Sequence, residues 1–170
     1  MNAAKTADQD ENEFGEAAGV EKTLATAQEK WADNEAITAL AATVQAQWDA
    51  WQANPEGYFD STELFALDTM IGGKGLNDPE LVNTLVNNSA EAIDWLATQD
   101  INLTDVASFG GASVKRIHRP LDGDGKVVSV GAYTVPLLEE ACAKRDNITI
   151  LTDTTATEIL TADGAACGIA

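Results

Sequence analysis

FGGASVKRIHRP, residues Phe109–Pro120, is the stretch on which the reading of this chain turns. An aromatic residue precedes two adjacent glycines, and Lys115, Arg116, His118 and Arg119 then gather in five positions of a strongly acidic protein. Paired glycines let main chain run flat against a ligand or turn with positive φ, because no Cβ stands in the way. One reading is therefore a backbone platform beside a cationic strand, suited to something anionic. The other is an ordinary loop entering a strand whose polar face is solvated.

Working outward, Asp122-Gly123-Asp124-Gly125 carries hairpin turn chemistry, with Val114 and Ile117 before it and Val127, Val128 and Val130 after it as strand candidates. The aspartates do not form a calcium loop, since no ligand series continues at alternate positions toward a glutamate. Gly131 to Arg145 reads as a helix in which Pro136 is tolerable only in the first turn. Ile148–Leu151 and Thr157–Leu160 are β-rich, and Ala162-Asp163-Gly164 turns the chain toward a last strand at Cys167–Ala170.

Upstream, Asn77-Asp78-Pro79-Glu80 starts a helix that runs to about Asp100, with Leu81, Leu85, Ile93 and Leu96 expected inward. Asp60-Ser61-Thr62-Glu63 caps another, ending at Gly72-Gly73. Leu24, Ala27 and Trp31, then Ile37, Leu40, Val44, Trp48 and Trp51, follow helical spacing with a break near Asp33-Asn34 and an end at Asn54-Pro55-Glu56-Gly57. Trp31, Trp48 and Trp51 at that spacing are read as core anchors in preference to a ligand-stacking surface. Residues 5–20 are acidic and poor in large hydrophobes, which predicts a loop. The expected class is α/β, or α+β within this chain.

Composition bounds the function. The 170 residues carry 45% hydrophobic side chains, enough for one core, and a formal net charge of −18. That charge disfavours nucleic acid and anionic membrane surfaces as partners. Residues 1–70 hold 14 acidic against 3 basic side chains, so the N-terminal part is expected to be a solvated appendage. Cys142 and Cys167 lack metal-ligand spacing and read as small buried hydrophobes in a reducing compartment. No metal site is expected. No apolar run approaches the roughly 18 residues of a membrane span, and Met1–Asp10 lacks signal-peptide order, so the cellular address stays open.

The order of motifs adds a family. FGGASVKRIHRP, with NDPELVNTLVNNSAEAIDWLATQDINLTDV before it and a helix, ITILTDTTATEIL and a glycine after it, resembles the FAD-binding domain of the soluble fumarate reductase group. That group comprises flavoproteins related to succinate dehydrogenase, L-aspartate oxidase, urocanate reductase and ketosteroid dehydrogenase. Met1–Ala4 is similar to the group's GGMNAA segment, and LFALDTMIGGKGL (Leu64–Leu76) to the stretch leading into the long helix. The resemblance covers residues 1–4 and 60–170. Residues 1–59 are accordingly expected to be an acidic, mainly helical insertion after the MNAA segment, and 60–170 the middle part of an FAD-binding domain. The group's first βαβ unit with G-x-G-x-x-G, and its clamp domain with the catalytic arginine, are not matched here.

The resemblance also implies roles. Asn2 and Ala3 would pass their main chain along the flavin and its ribityl chain. Phe109 and Gly110 would meet substrate, Gly110 and Gly111 the cofactor, and Ala156 the adenine through main-chain groups. No catalytic residue falls in this segment. His118 has a suitable pKa for acid-base work, but the group's proton donor is an arginine elsewhere, which leaves the histidine a structural hydrogen bond. The implied function is a part of an FAD-dependent oxidoreductase that reduces the activated C=C bond of an unsaturated carboxylate such as fumarate. The chain alone is expected to be inactive, with an unknown electron donor and self-association a possibility for its open sheet edge. Relatives acting on urocanate, an acrylate or a ketosteroid stay open, as does a non-catalytic acidic helical module docking through its tryptophans.

Overall fold

A computed structural model describes residues 19–108 and 110–170. Asn2, Ala3 and Phe109, and the loop expected before residue 19, lie outside the described residues. The order is α1 (Val20–Lys30), α2 (Glu35–Ala53), α3 (Thr62–Gly72), α4 (Pro79–Thr98), β1 (Asp105–Ala107), β2 (Ile117–Arg119), α5 (Val130–Ala143), β3 (Ile159–Ala162) and β4 (Ala165–Ile169). Helices with short antiparallel strand pairs make a mixed α/β segment, as the sequence pattern implies.

Polar caps fix where the helices begin. The Asn34 side chain accepts from Ile37 N–H, Ser61 from Leu64 N–H, and Asp78 from Glu80 N–H with Pro79 in the first turn. Each supplies an acceptor for an N–H that the helix itself leaves unpaired. Apolar residues at helical spacing then bring α1, α2, α3 and α4 together around Leu24, Ile37, Val44, Leu64, Leu67 and Val86. The described portion of the acidic N-terminal part, from residue 19 on, is thus no solvated appendage: Val20, Ile37 and Val44 are almost fully buried. Trp48 lies in this core, stacked on Trp51 at 5.0 Å and edge-on to Phe59 at 5.0 Å, and Trp31 packs against it. Aromatic pairs at this separation hold a helix to its neighbours, which removes the feature a tryptophan docking surface required.

Further expectations need correction. On α4 the buried residues are Val82 and Val86, whereas Leu81 and Leu85 are 70% and 52% exposed. Ile93 and Leu96 of the expected set are half-buried and share a stripe with Val82, Val86 and Ser89, one residue away from the leucines at 81 and 85. Pro136 stands in the second turn of α5, not the first. Ala132, whose carbonyl loses its helical donor, is exposed on the same side, so water can satisfy it. Val130 opens α5 instead of a strand, and Val114 is buried in a loop.

Ile148–Leu151 forms no strand: Ile150 and Leu151 are 56% and 71% exposed, and no neighbouring strand among the described residues offers them a ladder. The C-terminal hairpin β3–β4 forms instead between residues 157–162 and 165–170, with Ile159 opposite Ile169. Cys167 sits exposed on this hairpin and Cys142 is half-buried on α5, so neither is a core residue; both are free thiols. The Asp122–Gly125 turn is built as its chemistry requires. Leu121 bridges Val127, Asp122 accepts from Gly125 N–H, and Gly125 takes φ +77°.

Candidate functional site

The site is built on the connection between β1 and β2. The two strands pair antiparallel with Ala107 opposite Ile117, and Arg116 N–H donates to the Ala107 carbonyl, closing a loop over residues 108–116. Gly110 and Gly111 form its exposed tip, and Gly111 holds φ +85°, a conformation that favours glycine. A Cβ built at either glycine meets no atom of the described residues within 4 Å beyond its chain neighbours. The tip therefore presents bare main chain to open space.

The returning limb is the opposite: Ala112, Ser113 and Val114 are buried, at 9%, 2% and 4% exposure. Val114 packs into the helical core, and beside it lies an ionic and hydrogen-bonded cluster centred on Asp68 of α3. One carboxylate oxygen, Oδ2, accepts from Ser113 N–H at 2.9 Å, Ser113 Oγ at 2.7 Å and Arg116 Nη1 at 2.6 Å. The other, Oδ1, accepts from Thr23 Oγ1 of α1 at 3.2 Å. Arg116 also grips Asp60 through Nε and Nη2, and its guanidinium lies 4.8 Å from the centre of the Phe65 ring. The Tyr58 hydroxyl accepts from Lys115 N–H.

Burial alone would pull the Arg116 pKa down, and it is the largest single influence. The hydrogen bonds and charges of Asp60 and Asp68 together outweigh it, leaving the guanidinium above its ordinary value. Arg116 is thus a permanent cation whose charge is spent inside the protein.

The basic stretch divides its labour accordingly. Arg119 pairs with Asp105 directly across the β1–β2 ladder, at 2.8 Å. His118 sets Nδ1 3.1 Å from the Leu103 carbonyl, so the proton of the neutral ring belongs on Nδ1. Lys115 has no ion pair among the described residues. Both arginines of the stretch are thus paired with local carboxylates.

Ala156 lies exposed before the C-terminal hairpin, outside both its strands. The structure brings Gly110 and Gly111 together on one surface and leaves Ala156 on a different element. Sequence reasoning missed Asp68, Asp60, Tyr58 and Ser113. The available signal was Asp68 itself, a lone charge amid Leu64, Ala66, Leu67 and Met70 on the buried side of a helix.

Comparison with known proteins gives this geometry a context. Residues 17–170 match the family described as FAD binding domain. This chain belongs to that family. FAD is the cofactor of the domain, and the fumarate reductase-like flavoproteins supply its relatives. The chain is 42% identical over 116 residues to a fumarate reductase (cytochrome) of Shewanella frigidimarina, covering 67% of this chain and 19% of that protein. It is 40% identical over 114 residues to an NADH:fumarate oxidoreductase of Klebsiella pneumoniae, covering 67% and 12%. With an NADH:acrylate oxidoreductase of Vibrio harveyi it shares 32% over 140 residues, covering 74% and 13%. The chain thus spans a fifth or less of these relatives' length.

The open main chain at Gly110 and Gly111, from which no side chain projects, leaves room for a flat conjugated ring to approach.

Proposed function

We propose that the protein carrying this chain is an FAD-dependent oxidoreductase that reduces the activated C=C bond of an unsaturated carboxylate such as fumarate. The observation that carries the reading is the side-chain-free, exposed tip at Gly110–Gly111 standing on a buried, ion-paired base. Bound FAD supplies the hydride for such a reduction. The residues of this chain bind and orient. On the family resemblance, Phe109 and Gly110 would form the substrate-side wall, Gly110 and Gly111 would face the flavin, Asn2 and Ala3 its ribityl chain, and Ala156 would meet the adenine with its main chain. Lys115, the basic side chain next to the tip without an ion pair among the described residues, biases the local field toward an anionic guest.

None of the described side chains is assigned the proton donor. His118 has its Nδ1 directed at a backbone carbonyl and serves to fix the β1 side of the loop. The substrates of the relatives define the alternatives, since one of them is named for fumarate and another for acrylate.

The test is the full-length protein. Purified, it should be yellow, contain FAD, and oxidise a reduced viologen dye when fumarate is added, with acrylate and urocanate run in parallel. Flavin with turnover on acrylate or urocanate alone would reassign the substrate. Protein without flavin absorbance would remove the proposal altogether.

A further inference from the structure

Among the described residues, a Cβ at Gly110 or Gly111 finds nothing within 4 Å beyond its chain neighbours, so where this main chain stands is inherited from the limb that follows it. That limb is held by Val114 in the helical core, by Tyr58 and by Asp60, and three of its donors converge on a single oxygen, Asp68 Oδ2. The remaining oxygen is held by Thr23 of α1, 45 residues upstream, so the carboxylate cannot turn without releasing one side or the other.

A buried carboxylate and guanidinium are a poor way to gain stability. An apolar pair of similar volume often serves as well or better, because both charges must leave water. What they give is direction: a fixed acceptor plane and a forked donor define an orientation that methyl groups do not. The surroundings support this. Asp68 is flanked on α3 by Leu64, Leu67 and Met70, a face where a leucine would be the ordinary occupant.

We propose that Asp68 is a positioning residue of the flavin and substrate wall: by holding Ser113 and Arg116 it sets the stance of the Gly110–Gly111 main chain. This rests on the functional reading above and extends it to a helix that contributes no atom to the tip. Arg116 and Thr23 act in the same unit, one on each side of the carboxylate.

The test is Asp68→Asn in the full-length flavoprotein, a change that keeps size and leaves α3 packed. Amide hydrogen exchange at residues 110–116 should accelerate by about tenfold or more, while the core amides of α2 keep wild-type rates. KM for the unsaturated acid should rise by about 10- to 100-fold, the scale on which sub-ångström to 1 Å misplacement is felt.

A merely structural Asp68 would lower the melting temperature and flavin content and leave KM of the surviving holoenzyme unaltered, which would overturn the proposal. Unchanged exchange at residues 110–116 would overturn it as well, whatever the activity. Should Asp68→Asn not fold, Ser113→Ala removes one of the three donors and must show the same effects in smaller measure. The two readings fail separately. Wild-type protein that holds flavin but reduces no unsaturated acid sinks the function, whereas the exchange experiment alone decides the positioning role.

Discussion

Replacing Arg116 with methionine keeps the side chain's length and apolar stem but deletes the guanidinium that joins Asp68 to Asp60. The two halves of that junction differ in exposure, and so should their energies. Arg116 and Asp68 have side chains 10% and 6% exposed and meet at 2.6 Å, whereas Asp60 is 31% exposed. Removing one partner of a buried pair strands the other charge, at a cost of about 3–5 kcal/mol. Asp68 would retain Ser113 N–H, Ser113 Oγ and Thr23 Oγ1, which places Arg116→Met at the lower end, about 3 kcal/mol. Asp60→Asn, which removes only the wetter half, should cost less than about 1 kcal/mol.

The full-length protein need not unfold in two states, so local opening free energies from native-state hydrogen exchange are the suitable readout at Ser113–Arg119. In an Asp68→Asn background the cost of Arg116→Met should shrink by at least about 1 kcal/mol, since the stranded charge is already gone. Equal costs for Arg116→Met in both backgrounds, or an Asp60→Asn effect as large as that of Arg116→Met, would refute the assignment of Asp68 as the principal partner.

Other outcomes are expected. Trp48→Ala should destabilise the helical core by about 3–5 kcal/mol, measured by denaturant titration of tryptophan fluorescence, with Trp48→Phe clearly milder because it keeps a ring against Trp51 and Phe59. Gly111→Ala forces φ +85° on a residue with a Cβ, costing about 1–2 kcal/mol, and in the holoprotein it should weaken flavin retention although the added methyl meets no other described residue beyond its chain neighbours. The Glu63 carboxyl is held below its ordinary pKa of 4.5, first by the hydrogen bond from Gln47. Because the folded state binds its proton less readily than the unfolded chain, its contribution is complete above 4.5 and fades as pH falls through the lowered value. In Gln47→Met the Glu63 pKa measured by NMR should move up toward 4.5, and acid loosening of the α2–α3 contact should begin at higher pH.

What could be foreseen from the residues follows the range of the interactions involved. Local signals were legible: Asn34, Ser61 and Asp78 mark helix starts because a side chain bonds an N–H two or three positions on, and Asp122–Gly125 turns because of its own chemistry. The tryptophans were legible as core because helical spacing already implies a shared face. The α4 face was not, since leucines and valines one position apart formed competing stripes and only the partner helices choose between them. Ile148–Leu151 has β-forming residues but no neighbouring ladder, and strand formation depends on a partner that composition does not report.

At the candidate site, the open glycines could be read directly, while the carboxylates that neutralise the basic stretch could not. Asp68 and Arg116 are separated by 48 residues, and their pairing exists only once α3 and the β1–β2 loop are packed together. The basic run consequently looked like an anion-binding surface. In the folded chain its two arginines are mostly occupied in holding the loop.

A crystal structure of the full-length protein with FAD and a bound dicarboxylate tests the central claim most directly. The account predicts main-chain atoms of Gly110 and Gly111 in van der Waals contact, about 4 Å, with the isoalloxazine or the carboxylate guest, and Asp68 still joined to Ser113 and Arg116. A flavin seated elsewhere, with this turn facing bulk water or another protein surface, would contradict it.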